Sequence, residues 1–360
     1  TALGLRTVYD NNYLADDNML SFFFRATYDY KKKYLLNAIF RADGSSKFAT
    51  GKQWGYFPSI AGAWRISDED FLVDARDWLS QIKLRLSYGA SGNNNIASSQ
   101  YSVVYSSNTG TNVDSYYTTG NTLYNPDLKW ETTITRNAGV DFGFFRNRIN
   151  GSVDLYSNNT QDLLIQFPIA GTGYQSQYRN IGSTSNKGVE IVLNGVFVDT
   201  KNYGFDISYN MSFNKGRVES LGGLAELTSS SGWTSSIAED YKVYVGQPVG
   251  LMYGYRNLGR YAADDFIYQN GKWIMNATKY SAINDKGVRY NPITEETFVD
   301  NSANTGAAWG PGAMKLKDLN EDGVITADDR EVIGNATPLF TGGLNLSGRV
   351  KGFDISANFT

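Results

Sequence analysis

Apolar and polar residues alternate with a period of two along much of this chain, most clearly between Trp130 and Asn159. Ala138, Val140, Phe142 and Phe144 alternate with Asn137, Gly139, Asp141 and Gly143. After the Phe145-Arg146-Asn147-Arg148 connection, Ile149, Gly151, Val153 and Leu155 alternate with Asn150, Ser152, Asp154 and Tyr156. A period of two places one set on one face of a strand and the other set opposite, so the segment predicts two strands of about ten residues or more joined by a tight turn. That is long for a soluble hairpin, whose strands are usually about five or six residues.

The pattern recurs. Phe22, Phe24, Ala26, Tyr28 and Tyr30 lead through Lys31-Lys32-Lys33 to Tyr34, Leu36, Ala38, Phe40 and Ala42. Ile60, Gly62, Trp64 and Ile66 form the next stripe, and the acidic connection Ser67 to Asp77 leads to Ile82, Leu84, Leu86 and Tyr88. Val189, Ile191, Leu193, Gly195 and Phe197 turn at Asp199 to Asn202 into Tyr203, Phe205, Ile207, Tyr209, Met211 and Phe213. The last pair is Leu344, Leu346, Gly348 and Val350, then Phe353, Ile355, Ala357 and Phe359, turned at Lys351-Gly352. Between the pairs lie polar stretches: Gly89 to Lys129, with room for a small hairpin of its own, Thr160 to Asn186, and the very long insertion Lys215 to Leu339.

The reading is all-β: ten strands in antiparallel up-and-down order, with short turns inside pairs and long loops between them. An outer-membrane barrel has this signature, with apolar residues facing lipid and long loops at one rim only. A soluble sandwich is the competing architecture, with shorter strands and an inward apolar face. Ten strands of a barrel leave two open edges, which hydrocarbon does not tolerate, so the reading requires further strands to close it. With Thr1 at one end and the alternation Phe353 to Phe359 broken off at the other, the expectation is a piece of a longer protein.

Composition narrows the classes. Among 360 residues, Gly 37, Tyr 25 and Phe 19 against Pro 7 fit a large aromatic-rich β protein, and a formal net charge of -3 offers no basic stripe for nucleic acid. The absence of Cys and His removes thiol nucleophiles, the commonest general base and most zinc or haem sites. No apolar run reaches the roughly 18 residues of a spanning helix, which leaves a spanning barrel open.

One motif has the spacing of a metal loop. Asp318, Asn320, Asp322 and Asp329 fall at positions 1, 3, 5 and 12 of a calcium loop of EF-hand or dockerin kind, with Gly323 at 6 and the Val324 carbonyl at 7. Asp at position 12, where Glu is usual, and the lack of an incoming helix at Lys315 to Lys317 make it a half-hand, and an ion-free turn rich in Asp and Asn is the alternative. The expected ion is a structural Ca2+. Asp68-Glu69-Asp70 is read as a solvated turn rather than a hydrolytic carboxylate pair. Tyr116-Tyr117, Trp233, Trp273 and Trp309 are candidates for stacking on sugars or peptides, with packing inside the loops as the alternative.

Several segments resemble the C-terminal part of the barrel in SusC/RagA-type TonB-dependent outer-membrane transporters. They are Arg41 to Phe48, Trp54 to Ser59, Ala63 to Ile66, Leu84 to Gly89, Asn125 to Glu131, Asn186 to Glu190, Gly246 to Gly250 and Asp318 to Gly334. The resemblance runs through nearly the whole chain, residues 1–360. It implies a barrel of about 22 strands, a plug and last strands outside this sequence, and an extracellular loop over 215–340. It further implies coupling to TonB, a SusD-like surface lipoprotein as lid, contact with outer-membrane lipid, and import of oligosaccharides or peptides without bond cleavage. The implied place is the outer membrane of a Gram-negative, Bacteroidetes-type cell. A secreted calcium-binding carbohydrate enzyme and a passive porin or adhesin barrel are the alternatives.

Overall fold

The computed structural model describes residues 17–103, 105–110, 113–169, 171–232, 239–302 and 308–360. Ten long strands form one sheet: β1 Met19–Tyr30, β2 Tyr34–Ser45, β3 Trp54–Arg65, β4 Leu79–Asn93, β5 Glu131–Phe144, β6 Ile149–Gln161, β7 Ser183–Asp199, β8 Tyr203–Ser220, β9 Phe340–Val350 and β10 Phe353–Phe359. Every strand pairs antiparallel with its neighbour in chain order, so β1 and β10 are the edges. Among the described residues no helix is long and apolar enough to cross a membrane.

Register keeps the two faces separate across the whole sheet. In β5 and β6, Ala138 pairs with Leu155, Val140 with Val153 and Phe142 with Gly151, while Asp141 pairs with Ser152 and Gly139 with Asp154. The apolar side chains are exposed, among them Phe24 at 67%, Leu86 at 55%, Leu155 at 53% and Ile355 at 65%. An apolar surface of this extent is far beyond what a soluble domain leaves open to water and suits hydrocarbon.

The short turns form by left-handed backbone. In the three-residue β1–β2 turn Lys31 and Lys32 both have φ near +55° (54° and 56°), the left-handed backbone that matches strand twist, the Lys33 amide closes on the Tyr30 carbonyl at 3.1 Å, and the Asp29 carboxylate accepts the Lys32 amide at 2.7 Å. Phe145, Arg146 and Asn147 take φ of 54°, 56° and 60° between β5 and β6.

The β3–β4 connection is a folded rim rather than a loose turn. Two 3-10 segments, Ile66–Asp68 and Asp70–Ala75, place Glu69 beneath the aromatic ends of the strands. The Glu69 carboxylate accepts from the Tyr34 hydroxyl at 2.6 Å, the Trp64 indole at 2.9 Å and the Lys33 ammonium at 3.1 Å, while Tyr34 and Trp64 stack at 6.3 Å. The solvated-turn reading of Asp68 to Asp70 is therefore corrected for Glu69. The hydrogen bonds from Tyr34 and Trp64 and the Lys33 ammonium hold its pKa down at about 2.

The region 89–129 carries the small hairpin Tyr105–Gly110 with Val113–Thr119. The insertion after β8 is no open loop. Residues 226–244 and 248–337 form a compact unit of their own, separate from the unit that holds the ten strands. Its sheets are short, including the four-stranded order Glu226–Ser229, Tyr241–Tyr244, Leu251–Tyr255 and Arg330–Asn335. Its core is aromatic: Tyr261, Phe266, Phe298 and Trp309 meet in tilted or edge-to-face pairs with centroids 5.1–5.6 Å apart.

Candidate functional site

The polar face of the sheet carries an ion network at its middle. Arg85 on β4 pairs with Asp141 on β5 at 2.8 Å and reaches across β5 to Asp154 on β6 at 2.9 Å, and Lys83 approaches Asp141 at 3.6 Å. The reach is possible because residue 139, between them, is glycine. A Cβ there would lie 2.3 Å from Asp154 Oδ1 and 2.8 Å from an Arg85 guanidinium nitrogen. Parity could have flagged this network, since Lys83, Arg85, Asp141 and Asp154 all fall on the polar stripe; only register shows that they meet.

Towards the long-loop end of the same face, Phe48, Phe57, Ile96, Leu128 and Trp130 form a buried cluster. The Trp130 indole donates to the Gln53 carbonyl at 2.7 Å, and its ring meets Phe48 and Phe57 at 5.6 and 5.5 Å. The Phe57 ring lies where a Cβ on Gly55 or Gly92 would stand, at 2.4 and 2.0 Å, so both positions demand glycine. Beside it Asp43 is buried and paired with Arg41 at 2.6 Å. The segments Arg41 to Phe48, Trp54 to Ser59 and Asn125 to Glu131 are thus one structural knot where the loops leave the sheet.

The stacking candidates part ways. Trp309 is in the core of the insertion. Trp273 stays 40% exposed and pairs with Tyr268 at 4.7 Å on the hairpin Phe266–Gln269 with Lys272–Met275. Trp233 and the side chains of Tyr116 and Tyr117 lie outside the described residues.

The Asp318 to Asp329 loop is tied by its own hydrogen bonds. Asp318 accepts the Asp322 and Gly323 amides at 3.2 and 2.9 Å, Asn320 accepts the Asp322 amide at 3.0 Å, and Asp322 accepts the Val324 amide at 2.9 Å. Asp329, only 1% exposed, accepts the Leu319 amide at 2.8 Å and the Thr326 amide at 2.7 Å. Among the described residues no three His, Cys, Asp or Glu side chains gather as a metal would need. The protein's own amides hold the loop, and the donors fit calcium in chemistry rather than in arrangement.

Asp265 in the insertion is buried beside Lys279 at 2.7 Å and the Tyr280 hydroxyl at 2.8 Å. Burial alone would raise its pKa, but the Lys279 ammonium, the Ala262 amide and the Tyr280 hydroxyl hold it below the ordinary value. Burial pushes the Tyr261 hydroxyl up to about 12. That hydroxyl donates to the Val299 carbonyl and accepts the Val299 amide, each at 3.1 Å. These are cross-braces of a folded unit.

An in-order antiparallel sheet with an exposed apolar face, an ion-paired polar face and folded long loops defines the wall of an outer-membrane β-barrel. The sequence matches the TonB dependent receptor-like β-barrel family over residues 3–320, and the chain belongs to that family. It is 32% identical to TonB-dependent receptor P39 of Formosa agariphila, over 94% of this chain and 32% of that protein. It is 39% identical to SusC of Bacteroides thetaiotaomicron over 59% of this chain and 22% of SusC. A structure of the RagAB peptide importer in a closed-closed state superposes with TM-score 0.71 at 26% identity, over 94% of this chain and 33% of that one. The chain thus spans about a third of the length of such relatives. The family is one of transporters, so the carbohydrate-enzyme alternative falls.

Proposed function

We propose that the full-length protein imports oligosaccharides or peptides across the outer membrane, driven by TonB and closed from outside by a SusD-like lipoprotein. The observation that carries this is the sheet itself, whose polar face is lined by the Arg85, Asp141 and Asp154 network while its long connections fold into structured units. A passive pore needs no such folded rim. The similarity to the RagAB peptide importer supports peptides as a cargo class, and the similarity to the TonB-dependent receptor SusC supports the TonB coupling, while oligosaccharides and the lipoprotein lid rest on the resemblance to the SusC/RagA type. Cells carrying the full-length protein should accumulate labelled oligosaccharide or oligopeptide, and should stop when TonB is inactivated or the proton gradient is collapsed. Uptake that survives both treatments, together with steady conductance in planar bilayers, would establish the passive porin instead. A calcium ion at Asp318, Asn320, Asp322, Val324 and Asp329 is a separate proposal resting on oxygen-donor chemistry, since the two Asp318 oxygens each keep a lone pair beyond the single amide they accept, while the Asp329 oxygens would have to give up donors to an ion.

A further inference from the structure

The apolar face of the ten strands carries few charges, and most of them fall in one row. Its charged residues are Arg136 on β5, Lys187 on β7, and Lys215, Arg217 and Glu219 on β8. Arg217 and Glu219 face each other at 3.7 Å. The other three are joined by register: Arg136 pairs with Ser157, Ser157 with Lys187, and Lys187 with Lys215. All three are exposed, and among the described residues none has a carboxylate within salt-bridge distance.

The row crosses the upper edge of the hydrocarbon-facing band. Below it on the same strands come Ala138, Leu155, Val189 and Phe213, and then only apolar or small residues down to the short turns. At about 3.3 Å per residue and a strand tilt of about 40°, Arg136 stands roughly 20 Å and Lys215 roughly 30 Å above the short-turn rim, against an apolar band of about 25 Å. Two ammonium groups directly opposite each other on neighbouring strands repel unless an anion stands between them.

A groove begins beneath Arg136. It has a volume of about 710 Å³ and is lined by Leu36, Ile60, Gly62, Leu86, Ala138 and Leu155, with Arg136 and Tyr88 at its edge. The Arg136 guanidinium lies 5.6 Å over the Tyr88 ring. The stacking holds it above the groove.

We propose that Arg136, Lys187 and Lys215, with the Ser157 hydroxyl, bind the phosphate-bearing headgroup of an outer-leaflet lipid, one of whose acyl chains lies in the groove below Arg136. Three unpaired cations in a row call for a multiply charged anion, and the groove that opens beside Arg136 and Ser157, at the β5–β6 end of that row, and extends across the apolar face of β2 to β6 calls for that anion to carry a hydrocarbon chain.

The test uses the full-length protein reconstituted into phosphatidylcholine vesicles doped with diphosphoryl lipid A or with its dephosphorylated form. The wild type should melt at higher temperature with the phosphorylated lipid. Arg136→Gln combined with Lys187→Gln and Lys215→Gln should abolish that difference and weaken lipid binding on the order of a hundredfold, about fivefold per cation. Lys31→Gln with Lys32→Gln, at the opposite rim, should leave the difference in place. The wild-type comparison stands even if the triple variant folds poorly. Equal melting of the wild type in both vesicles, an undiminished difference in the triple variant, or equal stabilisation by inorganic pyrophosphate alone would overturn the proposal.

Discussion

Gly139 governs the ion pairs of the polar face, because its missing side chain is the space through which Arg85 reaches Asp154. Gly139→Ala should displace the guanidinium and leave a largely covered carboxylate without its partner, at about 1–3 kcal/mol. Unfolding of the reconstituted protein in urea measures this. Gly216→Ala, where nothing lies within 4 Å of the added carbon, should change little by comparison. Asp329 holds a second single-residue position. Removing its carboxylate in Asp329→Ala orphans the Leu319 and Thr326 amides, so cleavage by added protease between Lys315 and Arg330 should increase with or without calcium. Protection of the unaltered loop that vanishes on chelation would show that an ion shares the work, and indifference to calcium would remove the ion proposal.

At the scale of elements, the rim between β3 and β4 hangs on Glu69. Its folded pKa of about 2 lies below the ordinary 4.5, so its contribution is complete above pH 4.5 and is lost as pH falls towards 2. The midpoint of unfolding should therefore drop between pH 5 and pH 3 in the wild type, and drop less in Glu69→Gln; parallel pH curves for the two would refute the role. The apolar face of β8 gives a sharper contrast. Ile207 pairs with Gly195 and Leu346 in the apolar band, and Ile207→Arg should cost about 2–4 kcal/mol if it lies near the midplane, while Ser208→Arg on the polar face should cost far less.

The elements were legible in sequence to the extent that one solvent faced each side. Period two marked β8 from Tyr203 to Phe213, yet the strand continues to Ser220, and β7 begins at Ser183 rather than near Val189. Beyond the apolar band both faces meet water, the alternation fades, and backbone pairing goes on without it. The insertion was illegible for a related reason. Tyr261, Phe266, Phe298 and Trp309 build its core from short aperiodic segments, and their proximity is a product of tertiary folding. The Arg85 network and the Arg136, Lys187 and Lys215 row needed register as well as parity.

For the whole molecule, the order of the sheet fixes sidedness. Strands that pair antiparallel in chain order send every odd-numbered connection to one rim and every even-numbered connection to the other. The first rim carries Lys31 to Lys33, the Glu69-braced β3–β4 connection, Phe145 to Arg148, Asp199 to Asn202 and Lys351-Gly352; the second carries residues 46–53, 94–130 and 162–182 and the ends of β8 and β9 between which the insertion is spliced. Outer-membrane barrels keep short turns in the periplasm and long loops outside, and the rising row from Arg136 to Lys215 sits at the end that this rule places in the outer leaflet. An epitope inserted beside Ser230 should therefore bind antibody on intact cells. One inserted at Thr200 should bind only after the outer membrane is permeabilised. The two positions share β8 as their link, Thr200 just before it and Ser230 beyond its end, so a strand miscounted elsewhere does not affect the comparison. Labelling of Thr200 on intact cells with Ser230 silent would invert the sheet in the membrane. The lipid row would then face the periplasm, and its proposed occupant would have to be sought in the inner leaflet.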